Sequence, residues 1–296
     1  MTDASSSPRA QPFDDRTFAV QDGLQLHYRD HPGRGPVPLL CLHGLTRNGR
    51  DFTSFAQRLS PRFRVIVLDF RGRGLSQYDP QPARYTPLTY AKDVIELLDG
   101  LSVDRAIFVG TSLGGLVTLA VNAMASDRVA GAILNDVGPE LSEAGLARIM
   151  TYVGKDTRFA SWEEAAGAIA ANNGRVPASF TDADWLAMTR NICRERDGMI
   201  VYDYDMAIAV PLAAAGAAPK VDLWPLFKAL TAKPLLVVRG AQSDLLSSAA
   251  VQRMAEAAPS SQFIEMPGVG HAPTLSEPEA ARAIDLFLER FDDSGQ

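Results

Sequence analysis

The stretch Ile107-Phe108-Val109-Gly110-Thr111-Ser112-Leu113-Gly114-Gly115 decides how this chain is read. An apolar run suited to a buried strand ends at Gly110, and an apolar helical run, Leu113 to Met124, begins immediately after Ser112. Gly-x-Ser-x-Gly at such a junction is the pattern of a nucleophile elbow. A serine on a sharp strand-to-helix turn is forced into a strained backbone conformation. Glycines on either side remove the β-carbons that would collide as strand and helix close on each other. The hydroxyl then stands clear of the sheet, over the free N–H groups of a helix N-terminus. A bare Gly-x-Ser-x-Gly also occurs by chance as a simple turn, so its weight depends on what surrounds it.

Working outward, strands and helices alternate. Thr17–Gln21 and Leu24–Arg29 read as a hairpin around Asp22-Gly23. Apolar strands follow at Pro38–Leu42, Phe63–Leu68, Arg105–Val109 and Val129–Leu134, separated by segments with helical spacing such as Tyr90, Val94, Leu97 and Leu98. After Pro139 the alternation stops, and helical patterns dominate to about Asp222. Among them are Leu146, Ile149, Met150 and Val153, then Ser161–Ala171, then Thr181–Arg194 with a capping box at Thr181 and Asp184. Alternation resumes with strand Pro234–Arg239, helix Ser248–Ala258, strand Gln262–Met266 and a last helix carrying Ala280, Ile284, Phe287, Leu288 and Phe291 in register. Continuous apolar strands between helices imply a mostly parallel sheet covered on both faces. The expected organisation is a disordered tail over 1–12, a core over 13–138 and 223–296, and a helical cap over 139–222 inserted after the sixth strand. Such a cap would lie across the carboxyl ends of the strands, where open α/β sheets bind ligands.

Composition sets limits. The chain has 296 residues, 46% of them hydrophobic, and a net charge of −6, with a pI near 5.3 and a mean hydropathy of −0.04. This fits a soluble globular protein, argues against a nucleic-acid partner, and leaves no run long enough to span a membrane. The N-terminal segment lacks the apolar stretch of a signal peptide. Cys41 and Cys193 are read as buried reduced thiols. A cytoplasmic location is the resulting expectation.

Two further residues complete a catalytic constellation with Ser112. Asp244 lies just past one late strand and His271 just past the next, giving the order Ser…Asp…His. A neutral serine needs a base, which His271 would be, and Asp244 would hold the imidazole's tautomer. Asp136, at the end of the sixth strand, is a rival acid. Asp244 is favoured because the loop Gly240–Asp244 is long enough to turn a carboxylate back toward the histidine, whereas Asp136 sits where the chain leaves for the cap. His43-Gly44-Leu45 follows the third strand. Backbone N–H groups of Leu45 and Leu113 are expected to form the oxyanion hole, with His43 fixing the loop. Residues considered for the substrate side are His43, Arg47, Tyr152, Trp185, Tyr204 and Met206. Arg71-Gly72-Arg73-Gly74-Leu75-Ser76 invites a phosphate-binding reading, but Gln77 replaces the third glycine and the chain runs on into loop, so a tight turn is expected. No Cys/His cluster has metal-ligand spacing. Neither a metal nor a cofactor is expected.

Together His43-Gly44, Asp69 to Ser76, Gly110 to Gly115, Arg239 to Asp244 and Gly270-His271 resemble the α/β-hydrolase fold superfamily, over about Thr17 to Phe291. The likeness is greatest to the capped esterase, lactonase and C–C hydrolase group. A serine nucleophile sets the chain apart from haloalkane dehalogenases and epoxide hydrolases, whose nucleophile is aspartate. The resemblance implies a serine hydrolase cleaving carboxylic esters through an acyl-enzyme. A lactonase, a β-diketone C–C hydrolase, an acyltransferase and a non-catalytic receptor are the other readings. The implied partner is a small-molecule ester or related acyl substrate, with no nucleic acid and no membrane. Oligomeric state is left open, a homodimer among the options.

Overall fold

The computed structural model describes residues 13–173, 177, 179–215 and 221–292. The expected tail, 1–12, lies outside them. In chain order the first half comprises β1 (Asp14–Ala19), β2 (Gln25–His31), β3 (Leu39–Leu42), α1 (Thr53–Leu59), β4 (Val65–Leu68), α2 (Pro87–Gly100), β5 (Ala106–Thr111), α3 (Leu113–Met124) and β6 (Val129–Asn135). The inserted segment holds α4 (Glu143–Met150), β7 (Arg158–Phe159), α5 (Trp162–Asn172), α6 (Asp182–Ile192), β8 (Cys193–Arg196), β9 (Met199–Tyr202) and α7 (Ala209–Ala215). Then come α8 (Trp224–Leu230), β10 (Leu235–Gly240), α9 (Ser248–Ala257), β11 (Gln262–Met266) and α10 (Pro278–Leu288).

Eight strands form one sheet in the order β1-β2-β4-β3-β5-β6-β10-β11. β1 and β2 are antiparallel at one edge, β2 is antiparallel to β4, and the remaining pairs are parallel. Period-2 alternation divides the apolar residues between two faces. Leu40, Leu42, Ile66, Leu68, Phe108 and Leu134 pack on the side of α2 and α3. Leu39, Cys41, Val65, Val67, Ile107 and Ile133 pack on the side of α1 and α10. Because every central strand is buried on both faces, its sequence reads as an unbroken apolar run.

Two expectations need correction. The opening hairpin pairs Asp14–Ala19 with Gln25–His31, so the turn is longer than Asp22-Gly23 alone. The inserted segment, read as mostly helical, also carries a small antiparallel sheet of β7, β9 and β8 that was not expected. Its signal was Asp197-Gly198, where both residues have positive φ (52° and 73°), the conformation a tight hairpin turn requires. The helix read as Thr181–Arg194 therefore stops at Ile192, while its capping box is present, Thr181 and Asp184 bonding reciprocally.

The Arg71-Gly72-Arg73-Gly74 stretch forms a turn whose arginines point inward. Arg71 is buried against Asp93, Asp79 and Asp22, and Arg73 donates to the carbonyls of Leu45 and Arg71 and to the Tyr90 hydroxyl. These bonds hold the loop after β4 against the loop after β3. They leave no open backbone cradle of the phosphate-binding kind.

Candidate active site

Ser112 sits between β5 and α3 with φ 50° and ψ −113°, the strained conformation of an elbow. The flanking glycines explain how the strain is tolerated. A β-carbon on Gly110 would come within 2.5 Å of the Gly114 backbone, and one on Gly114 within 2.0 Å of the Leu42 carbonyl oxygen. Strand and helix close only because both are absent. The Ser112 N–H is held by the Asn135 carbonyl at 2.9 Å, which ties the elbow to the end of β6.

His271, on the loop after β11, places Nε2 3.0 Å from Ser112 Oγ. Its Nδ1 meets Asp136 Oδ2 at 2.6 Å. The expectation that Asp244 holds His271 is thereby corrected. Asp136 follows β6, which lies between the serine's strand and β10, and its own φ of 55° turns the carboxylate back into the site. That carboxylate is fully buried and takes two further hydrogen bonds, from the Gly240 N–H at 3.0 Å and the Ser243 hydroxyl at 2.6 Å. The loop expected to supply the acid instead supplies two donors to it. Asp244 faces the cap, where its two oxygens accept from Arg148 Nε and Nη2, and this pairing holds its carboxyl below the usual range. Ser243 and Arg148 were not singled out in the sequence. The signal available was Asn135-Asp136 at a strand end, since Asn135 also bonds the Thr111 hydroxyl and the Pro273 carbonyl and so joins the serine and histidine loops.

His43 is fully buried and does not face the cavity, which removes it from the substrate side. Burial pushes its pKa down to about 4, so the ring is neutral near pH 7. Nδ1 donates to the Gly44 carbonyl at 2.7 Å, and Nε2 accepts from the Phe70 N–H at 3.1 Å. A trans peptide points its carbonyl and N–H in opposite directions. Fixing the Gly44 carbonyl on one side thus aims the Leu45 N–H to the other, while Arg73 Nε holds the Leu45 carbonyl at 3.0 Å. Among the described residues neither the Leu45 nor the Leu113 N–H has a protein acceptor. With Leu113 at the start of α3, both are free to face a developing oxyanion. Replacing Leu45 with proline deletes one donor and is expected to lower kcat by roughly 10²–10³ with a smaller change in KM. Steady-state kinetics beside a crystal structure of the variant check this, and normal kcat in an undistorted loop would place the donor elsewhere.

A cavity of about 370 Å³ opens above Ser112, between the core loops and the cap. Arg47 and Tyr152 line it. Trp185, Tyr204 and Met206 do not: Trp185 packs on Phe180 and Tyr204 on Tyr202, both buried within the cap, and Met206 packs against the apolar core. Their apolar character served packing. Among the described residues no group of three or more His, Cys, Asp or Glu side chains could hold a metal ion.

A model of the alpha/beta hydrolase family matches residues 39–284. The chain belongs to the α/β-hydrolase family. This hydrolase is 36% identical over 264 residues to a 3-hydroxybutyrate-oligomer hydrolase of Cupriavidus necator, covering 86% of this chain and 88% of that one. It is 30% identical over 258 residues to a 2-(acetamidomethylene)succinate hydrolase of Mesorhizobium japonicum, covering 87% and 89%. Among solved structures, an α/β hydrolase from Novosphingobium aromaticivorans superposes with a TM-score of 0.90 at 45% identity, covering 94% of this chain and 99% of that one.

Proposed function

We propose that this hydrolase cleaves carboxylic esters through an acyl-serine intermediate. The observation that carries the reading is the relay of hydrogen bonds from Ser112 Oγ to His271 Nε2 at 3.0 Å and from His271 Nδ1 to Asp136 at 2.6 Å. Ser112 Oγ attacks the ester carbonyl carbon while His271 Nε2 takes its proton. The charge on the carbonyl oxygen is met by the N–H groups of Leu45 and Leu113. As the carbonyl re-forms, the C–O bond to the alcohol breaks and His271 returns the proton to the departing alkoxide. Water then repeats the sequence on the acyl-serine, releasing the acid and restoring the serine. Asp136, a carboxylate already taking three hydrogen bonds, fixes the ring with Nδ1–H toward itself and stabilises the imidazolium.

The 3-hydroxybutyrate-oligomer hydrolase relative supports the ester reading, and a cavity of about 370 Å³ suits a small molecule. Among the described residues no helix is long and apolar enough to cross a membrane. Cys41 and Cys193 are free buried thiols, which supports a reducing compartment such as the cytoplasm. The test is a substrate panel of p-nitrophenyl esters, hydroxyacid oligoesters, lactones and β-diketones, run with and without a serine-directed phosphonate. Ester turnover that is lost as the phosphonate labels Ser112 is the expected result. Turnover confined to lactones or β-diketones, or acyl transfer to an alcohol outrunning hydrolysis, would replace the ester reading. Absence of both turnover and labelling would leave a binding protein.

A further inference from the structure

Two arginines on the cavity wall have no part in acyl-serine chemistry. Arg47 comes from the loop after β3 and Arg148 from α4 of the cap, and they are the only arginine or lysine side chains lining the cavity among the described residues. Arg47 begins close to the nucleophile. A β-carbon built on Gly44 would lie 3.3 Å from Arg47 Cγ and 3.8 Å from Ser112 Cβ. Each guanidinium is gripped along one edge. Arg47 gives Nε and Nη2 to Asp51, at 2.6 and 2.9 Å, and Arg148 gives the same two atoms to Asp244. Tyr152, one turn beyond Arg148 and also on the cavity wall, places its hydroxyl against Arg148 and feels the charge of both arginines.

Fork-to-fork pairing with an aspartate fixes a guanidinium's plane and leaves its Nη1 end outside the pair. Both arginine side chains remain about a quarter exposed, at 25% and 28%, and both line the cavity, whose walls mix apolar groups such as Ile192 with polar ones such as Asn191. A purely structural ion pair gains nothing from lining a cavity above a nucleophile. The pairing also offsets each positive charge, so the cavity is no strong anion sink. Recognition there would come from directed N–H and O–H bonds made in a partly dehydrated space. The remaining acidic residue on the wall, Asp184, has its carboxylate engaged by the Thr181 N–H and hydroxyl.

We propose that Arg47, Arg148 and Tyr152 form a carboxylate subsite, so that the preferred substrates are esters bearing a free carboxylate a few bonds from the scissile carbonyl. The inference rests on the reading of Ser112 as the nucleophile. It adds that the enzyme works on acid-terminated esters, such as a 3-acyloxy acid, in preference to their neutral esters. Asp244 acquires a role through it: the residue holds the cap arginine in place rather than the histidine.

The experiment compares 3-(butyryloxy)butanoate with its methyl ester, in wild type and in Arg47→Gln, Arg148→Gln and the two corresponding lysine variants. Wild type is expected to favour the free acid. Each glutamine variant should lower the ratio of kcat/KM for acid over methyl ester ten- to hundredfold, mainly through KM, and lysine should recover part of it. A ratio that stays within about twofold in every variant, or a wild type that favours the methyl ester, overturns the subsite while leaving the ester reading standing. Calorimetric binding of the non-hydrolysable amide 3-(butyrylamino)butanoate and of its methyl ester separates the two claims. Preference for the acid that is lost in the glutamine variants supports the subsite even if no ester is turned over. Equal binding of acid and methyl ester by wild type overturns it.

Discussion

Ser112→Ala is expected to lower kcat by about 10⁶, the scale reached when the nucleophile of a serine relay is removed. The size follows from the geometry. Without Oγ there is no covalent intermediate, and His271 Nε2, now 3.0 Å from an empty position, has nothing to deprotonate. The fold should tolerate the change. Alanine removes only the hydroxyl, and the strained backbone at φ 50° is held by the Asn135 carbonyl and by the close approach of Gly114 to Leu42. Burst-free steady-state assays on the best ester, together with a melting curve within a few degrees of wild type, check the prediction. Near-native kcat in the folded variant would end the acyl-enzyme proposal.

The second large effect distinguishes two aspartates. Asp136→Asn keeps the shape but offers His271 a neutral partner, and with the amide oxygen accepting from the Gly240 N–H its nitrogen replaces the Oδ2 to which both Ser243 and His271 donate. The ring can then turn or adopt the wrong tautomer, and the imidazolium loses its counter-charge. A fall in kcat of up to about 10⁴ is expected, with KM changed much less. Asp244→Asn loses one charge from the Arg148 pair and no contact to His271 Nδ1. Its effect should be below tenfold in kcat and appear mostly in KM, as Arg148 loosens. Kinetics of both variants on one ester separate the roles. If Asp244→Asn produced the loss of orders of magnitude and Asp136→Asn did not, the hydrogen bond seen at Asp136 would not be the one used in turnover.

The two acids mark where sequence reading reached its limit. Both aspartates end strands at the same edge of one parallel sheet, so chain order alone allowed either. The choice depends on how the Gly240–Leu246 loop folds. There the Gly240 N–H and the Ser243 hydroxyl turn toward Asp136, and the next residue, Asp244, is left pointing at the cap. Arg148 was beyond reach for a related reason: a charged residue on an amphipathic cap helix usually faces solvent, and only packing of α4 across the strand ends turned this one inward.

By itself the sequence determined the α/β architecture, the eight strands of the sheet within a few residues, the insertion after β6, and the placing of Ser112 and His271 on strand-end loops at one edge. It could do so because these features are written in local signals. Apolar runs alternate with 3.6-residue periodicity, and glycines stand where no β-carbon fits, as at Gly110 and Gly114. The tertiary structure alone decided which carboxylate meets His271, which cap side chains face the cavity, and that Trp185, Tyr204 and Met206 pack the interior instead. The choice of acid and the turning of Arg148 toward the cavity depend on contacts between residues about a hundred or more positions apart, Asp136 with His271 and Arg148 with Asp244. Periodicity reports which face of an element is apolar. It carries no information about which distant loop that face will meet.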